Sequence, residues 1–150
     1  MLAVVDSFPT CAGVLARRQR KKPAFEIHDE YDVQDLFYAL VLPVVPDMVP
    51  EDPASKIAGK ASRIDFTSKS TGLGVESKHL KGSGDATRVR EEILIDEMTY
   101  QEHPYLHTVV VHVNDPQEYI PLSARPAFEA DLSTTVTLGG RTIRYIVRVQ

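Results

Sequence analysis

Asp65, Glu76 and Lys78 are two acids and a lysine at a spacing that one tight β-hairpin would gather at a single spot. Residues 62–67 alternate polar and apolar side chains, as does the first half of 74–80, so both segments read as strands. The stretch between them is short, polar and contains Gly72, which suits an antiparallel connection with a loop of two or four residues. With Ser70 and Thr71 as the loop, Asp65 stands opposite Glu76; with Ser70 to Leu73 as the loop, it stands opposite Lys78 and Glu76 takes the diagonal. Parity is the same in both registers. All three side chains share a face, and Ile64, Phe66 and Val75 are expected on the other, buried one. Neighbouring carboxylates resist ionising together and call for positive charge. Lys78 supplies one cation, and a divalent ion such as Mg²⁺, held by carboxylate oxygens, water and a substrate phosphate, would supply more. A lysine beside such an ion can orient or deprotonate an attacking water, which is the chemistry of phosphodiester hydrolysis. The plain alternative is an exposed hairpin whose acids and lysine pair across strands.

The surrounding sequence contains the elements needed to position that hairpin. Val33, Leu36, Phe37, Leu40 and Val41 form one stripe at helical spacing, with Asp29 or Asp32 as N-cap and Pro43 and Pro46 beyond its end. From Pro43 to Lys60 the prolines and lack of periodicity indicate an irregular loop. After the hairpin, residues 81–84 form a flexible break before a helix over 86–101. Asp85 would cap it, Val89, Ile93 and Met98 would face inward, and Leu94 and Ile95 would widen the stripe. Tyr100 reads as a partly buried aromatic near its end. The β-branched run 108–113 suits a central strand, and strand, helix, strand implies a parallel pair with a right-handed crossover. A short helix over 125–132 precedes strands at 134–138 and 142–149, joined at Gly139-Gly140. In the last strand Ile143, Tyr145, Val147 and Val149 alternate with Arg144, Ile146 and Arg148, which reads as edge protection, with a partner contact as the alternative. At the other end, a short helix over 7–15 leads into Arg17 to Lys22, where five of six residues are basic. That run is a solvated arm or a contact to a nucleic-acid backbone.

Composition bounds the function classes. A chain of 150 residues with 43% hydrophobic content is one domain's worth with a real core. A net charge of −4 is unusual for a nucleic-acid binder, but acidic sites subtract from the total and a local basic patch matters more than the sum. Cys11 is the one cysteine, which excludes an intramolecular disulfide and a cysteine-cluster zinc site. The five histidines form no HExxH motif, and Gly72, Gly74, Gly82 and Gly84 match neither a Walker nor a dinucleotide loop. No secretory signal or membrane-spanning run is visible, so a cytoplasmic location and no membrane partner are expected.

Residues 25–36, followed by 63–66, 75–78 and 90–96, resemble a bacterial branch of the PD-(D/E)XK nuclease superfamily, the restriction-endonuclease-like fold. The resemblance runs from about Phe25 onward and takes in His112 to Pro116 and Phe128 to Leu132; Ile64 stands where a proline often precedes the first acid. It implies an α/β fold of three α/β/α layers, with a mixed central sheet and a catalytic antiparallel hairpin. Residues 1–24 would be a helical, basic arm and 25–150 the nuclease-like domain. Asp65 and Glu76 would hold Mg²⁺, with Mn²⁺ as a substitute and the carbonyl of Ser77 as a further ligand, while Lys78 activates water. Glu30 would lean toward the metal from the preceding helix, with Gln34 in the same neighbourhood and Glu91 supporting from the later helix. Arg63, Lys81 and Arg88 flank the catalytic face as backbone contacts, joined by Arg17, Arg18, Arg20, Lys21 and Lys22. The implied substrate is DNA, and the implied partners are a second copy or a larger defence or repair assembly. The alternatives are a catalytically idle module of this fold, acting in nucleic-acid binding or protein assembly, and a small-molecule or nucleotide-handling α/β protein.

Overall fold

The computed structural model describes residues 1–57 and 60–150, with the side chains of 1–50 and 63–150. Along the chain run α1 (Leu2–Ala16), α2 (Glu30–Val41), β1 (Val49–Ile57), β2 (Lys60–Ser68), β3 (Leu73–His79), α3 (Asp85–Tyr100), β4 (Thr108–Asn114), α4 (Arg125–Leu132), β5 (Thr135–Leu138) and β6 (Arg141–Val149). The strands form one sheet in the order β1-β2-β3-β4-β6-β5. Pairing is antiparallel from β1 through β3, parallel from β3 through β4 to β6, and antiparallel between β6 and β5. Helix α3 is the crossover between the parallel strands β3 and β4. One face of the sheet carries Val75 and Val110 against Val5, Phe8, Val33 and Phe37 of α1 and α2. The opposite face carries Val109, Val111 and Val113 against Val89 and Ile93 of α3, and Leu132 of α4. The result is the three-layer α/β/α arrangement of a restriction-endonuclease-like fold.

Local sequence accounts for most of these elements. Asp29 caps α2 by accepting from the backbone N–H groups of Tyr31 and Asp32, and Asp32 accepts in return from the N–H of Asp29 at 3.3 Å. This reciprocal box fixes where the helix starts. β4 is buried from Val109 through Asn114, as a β-branched strand covered on both faces should be. The hairpin pairs Ser68 with Leu73, Thr67 with Gly74 and Phe66 with Val75, so its turn is Lys69 to Gly72, with Gly72 at φ 64°. The ladder ends at Phe66 and Val75, one residue short of Asp65 and Glu76.

Several expectations are corrected. Residues 49–57 are a strand rather than part of a loop, because β1 lies at the sheet edge, where a proline's missing N–H removes no ladder bond on the open side. The rest of that stretch up to the next strand, residues 58–59, lies outside the described residues. The first helix starts at Leu2 rather than residue 7 and buries Val4, Val5 and Phe8. Asp85 does not cap α3; it is the first helical residue, and its carboxylate accepts from the N–H groups of Lys81 and Gly82 in the preceding loop. Leu94, Ile95 and Met98 are 48%, 62% and 73% exposed, because the helix turns Glu92 and Asp96 inward instead. β6 lies inside the sheet and β5 forms its edge, so the arginines of β6 do not protect an edge; Arg148 pairs with Glu129 of α4 at 3.3 Å.

Candidate active site

The chemistry of the site starts from a fault in strand β2. Ile64 packs with Val89, Ile93 and Leu106 on the α3 side of the sheet, whereas Phe66 packs with Phe37 and Val75 on the α2 side. Residues two apart in a regular strand point the same way. β2 therefore changes face at Asp65, contrary to the expectation that Ile64 and Phe66 share one buried face. Gly74 makes room for the change, since a Cβ there would collide with Ile64 Cδ1 and approach Leu106 Cδ2 to 3.1 Å. Ladder pairing with β3 reaches Phe66 and Val75, and beyond it the Asp65 carboxylate accepts from the Ser77 N–H at 2.7 Å, in place of a main-chain carbonyl.

β3 itself stays regular and is buried along its length. Its parallel register places Glu76 and Lys78 beside Val111 and Val113, on the α3 side. Lys78 Nζ donates to Glu76 Oε1 at 2.8 Å and lies 3.3 Å from Asp96 Oδ2 and 3.8 Å from Glu92 Oε2. The Tyr100 hydroxyl donates to the other Glu76 oxygen at 2.8 Å. Glu92, Asp96 and Tyr100 lie at successive turns of α3, so one stripe of that helix surrounds the lysine and the glutamate.

Crowding shifts the ionisation of these groups. Burial, then the charge of Glu76, raises the Asp65 carboxyl well above the usual range, against the opposing Ser77 N–H and Lys78. Burial followed by Glu76 raises Asp96 as well. On α2, Glu30 is raised by burial; Lys78 opposes this, Glu76 and Glu92 add to it, and the His79 backbone N–H donates to its carboxylate. Burial works against the charge of Lys78, but Glu76 and Asp96 outweigh it and its pKa rises. Among the described residues, Lys78 thus interacts with five acids, Glu30, Asp65, Glu76, Glu92 and Asp96.

A restriction-endonuclease family model, described as REase_DpnII-MboI, matches residues 1–144. The chain belongs to the DpnII-MboI restriction endonuclease family. Searches of curated proteins and of solved structures gave no match. As a member of this restriction endonuclease family, the chain is a nuclease acting on DNA. Restriction endonucleases generally use divalent metals. Among the described residues, no three His, Cys, Asp or Glu side chains converge closely enough to hold a metal as placed. Both oxygens of Glu76 are engaged, by Lys78 and Tyr100. The donor set nevertheless fits a hard cation: Asp65, Glu76 and Glu30 offer carboxylate oxygen in a crowded, partly buried cluster, in which burial and the neighbouring acids raise Asp65 and Glu30.

The remaining candidates fall in different places. Gln34 lines the same cavity as Asp65, on the α2 side. Ser77 contributes its N–H to Asp65, and its hydroxyl is buried with no hydrogen-bond partner. Glu91 is exposed, while its neighbour Glu92 faces Lys78. Arg63 is exposed, with its carbonyl accepting from Tyr100 at 3.4 Å. Arg88 is engaged by Asp85 and Glu92 on the surface, and Lys81 is exposed. Arg17 to Lys22 are all exposed; Arg17 and Arg18 donate to the carbonyls of Gly13 and Pro23, and Arg20 and Lys21 adopt positive φ. The sequence reading did not place Glu92 and Asp96 in the cluster. Their signal was present as acid, acid and tyrosine at i, i+4 and i+8, a polar stripe that competed with the apolar one. Among the described residues, no helix is long and apolar enough to cross a membrane.

Proposed function

We propose that this family member is a Mg²⁺-dependent endonuclease of the PD-(D/E)XK type, in which Asp65 and Glu76 hold the ion and Lys78 orients the attacking water. The observation that carries the reading is the convergence of Asp65, Glu76 and Lys78 at the point where the pairing of β2 with β3 ends, with several partly buried acids around Lys78. Glu30 and the Ser77 carbonyl complete the oxygen set available to the ion, with Mn²⁺ as a substitute. When bound, the cation supplies Lewis-acid stabilisation of the charge that builds on the phosphate. Asp65 keeps its position through the Ser77 N–H. Asp96 and Glu92 keep Lys78 charged and in place when Glu76 gives up its bond to the lysine, leaving the ammonium free to donate toward the water or a phosphate oxygen. Each site cuts one strand, so double-strand cleavage takes a homodimer or a second visit.

The test uses supercoiled plasmid, linear duplex and single strands with Mg²⁺, Mn²⁺ or EDTA. Asp65→Ala and Lys78→Ala are expected to lower the Mg²⁺-dependent rate by about 10²-fold or more, and EDTA to abolish it. Equal behaviour of the wild type and both variants under every metal condition overturns the proposal. One observation favours a second reading, an idle module that binds DNA without cutting it: Glu76 has both oxygens occupied by protein donors. Under that reading the wild type binds duplex but gives no product with any divalent ion.

A further inference from the structure

On the α2 side, Asp65 borders an open cavity of about 440 Å³ that the chemistry of Lys78 and Glu76 does not use. That volume lies in the range of small-ligand sites, about 300–1,000 Å³. Tyr38 and Phe66 line it, and their rings stack with centroids 5.4 Å apart and planes 9° from parallel. Tyr38 is tied down by its hydroxyl, which donates to the Met48 carbonyl at 3.3 Å. Tyr31 and Gln34 line it from the first turns of α2, and the Tyr31 side chain is 72% exposed. Among the described residues, the charged groups on the lining are acids, Asp35 and Asp65, with no lysine or arginine among them. Such a wall repels a phosphate, whereas an uncharged aromatic ring would meet a fixed aromatic pair, a free tyrosine face and an amide able both to donate and to accept.

We propose that this cavity is a base subsite, in which Tyr31 stacks on a nucleobase beside the phosphate to be cut and Gln34 hydrogen-bonds its edge. The assignment rests on the reading of Asp65 as part of the catalytic centre, because it is Asp65 that joins cavity and centre. A base inside a duplex has both faces covered, so occupancy requires one base next to the cut to leave the stack, at a cost of about a few kcal/mol. Stacking on tyrosine offsets part of that cost, by about 1–3 kcal/mol per base.

The test is binding in EDTA, so that it does not depend on cleavage. Affinity is measured by fluorescence anisotropy for an oligodeoxythymidylate and for an abasic deoxyribose-phosphate oligomer of equal length, with wild type, Tyr31→Ala, Tyr31→Phe and Gln34→Ala. Wild type is expected to prefer the base-bearing strand by about fivefold or more. Tyr31→Ala should abolish that preference, Tyr31→Phe should keep it and Gln34→Ala should reduce it, with affinity for the abasic strand unchanged throughout. Thermal melts should coincide for the two Tyr31 variants, as expected for an exposed side chain. Equal affinity of wild type for the two oligomers, or an undiminished preference in Tyr31→Ala, overturns the subsite. Loss of the nuclease reading would show instead as wild type that never cuts, whatever its base preference.

Discussion

Lys78 is held by more than one carboxylate, and that arrangement has a consequence for stability that is separate from catalysis. Its ammonium is buried with Glu76 at 2.8 Å and Asp96 at 3.3 Å, so removing it strands two acids that water can scarcely reach. Breaking a buried pair from one side costs about 3–5 kcal/mol, because the remaining charge loses its partner. Lys78→Met is expected to show a loss of that order by urea unfolding at neutral pH, and a smaller one in acid, where Asp96, already raised by burial, can protonate. Asp65→Asn works in the opposite direction. It removes a carboxyl already raised by burial and by Glu76, and its amide oxygen can still accept from the Ser77 N–H. The metal-free Asp65→Asn protein should therefore be as stable as wild type or more so, although inactive. A large stability loss in Asp65→Asn together with none in Lys78→Met would mean that the cluster is not short of positive charge.

At the scale of elements, His112 of β4 shows how burial alone can couple folding to pH. Its ring is fully buried between Phe8 of α1 and Phe37 of α2, at centroid distances of 4.4 and 5.7 Å, and neither nitrogen has a hydrogen-bond partner. Burial pushes its pKa from 6.5 down to about 3. Above pH 6.5 neither folded nor unfolded chain binds this proton; between 6.5 and about 3 only the unfolded chain does, so this contribution to stability is lost as pH falls. The slope is about 1.4 kcal/mol per pH unit within that window. His112→Leu should flatten the dependence by about one proton in urea midpoints taken across the window, and should be no less stable at neutral pH, since it removes orphaned ring nitrogens. The sequence showed β4 as a central strand because a β-branched run leaves little choice, and α2 because cap and stripe agree. It did not show β1, since Pro50 and Pro53 are permitted only by an edge position that the strand order decides. Parity placed Glu76 and Lys78 on one face but missed the turn of β2 at Asp65. That turn depends on packing between Ile64 and the bare Cα of Gly74, a contact between strands that neither segment announces alone. On α3 the apolar and acidic stripes compete, and the inward one is chosen by Lys78 of β3.

The whole molecule carries a net charge of −4 and gathers acid at its candidate centre, yet it belongs to a family that acts on DNA. Long-range attraction to a polyanion must then come from a local concentration of positive charge. The densest run in the sequence is Arg17, Arg18, Arg20, Lys21 and Lys22, exposed just beyond the end of α1, where Arg17, Arg18, Arg20 and Lys22 line an open cavity of about 610 Å³. α1 is no loose tether for that run: Val5 and Phe8 are wholly buried against α2 and the sheet, so the cations are carried on a packed element. Each phosphate neutralised on duplex DNA contributes about −0.9 to the slope of log affinity against log salt. Replacing all five by glutamine should therefore make the slope shallower by up to about 4.5, and should weaken binding of unrelated duplexes to the same degree. Fluorescence anisotropy over a NaCl series in EDTA checks this without depending on cleavage. An unchanged slope would make the run a solvated surface, and would move the search for the phosphate contacts to Arg63, Lys81 and Arg88 beside the site.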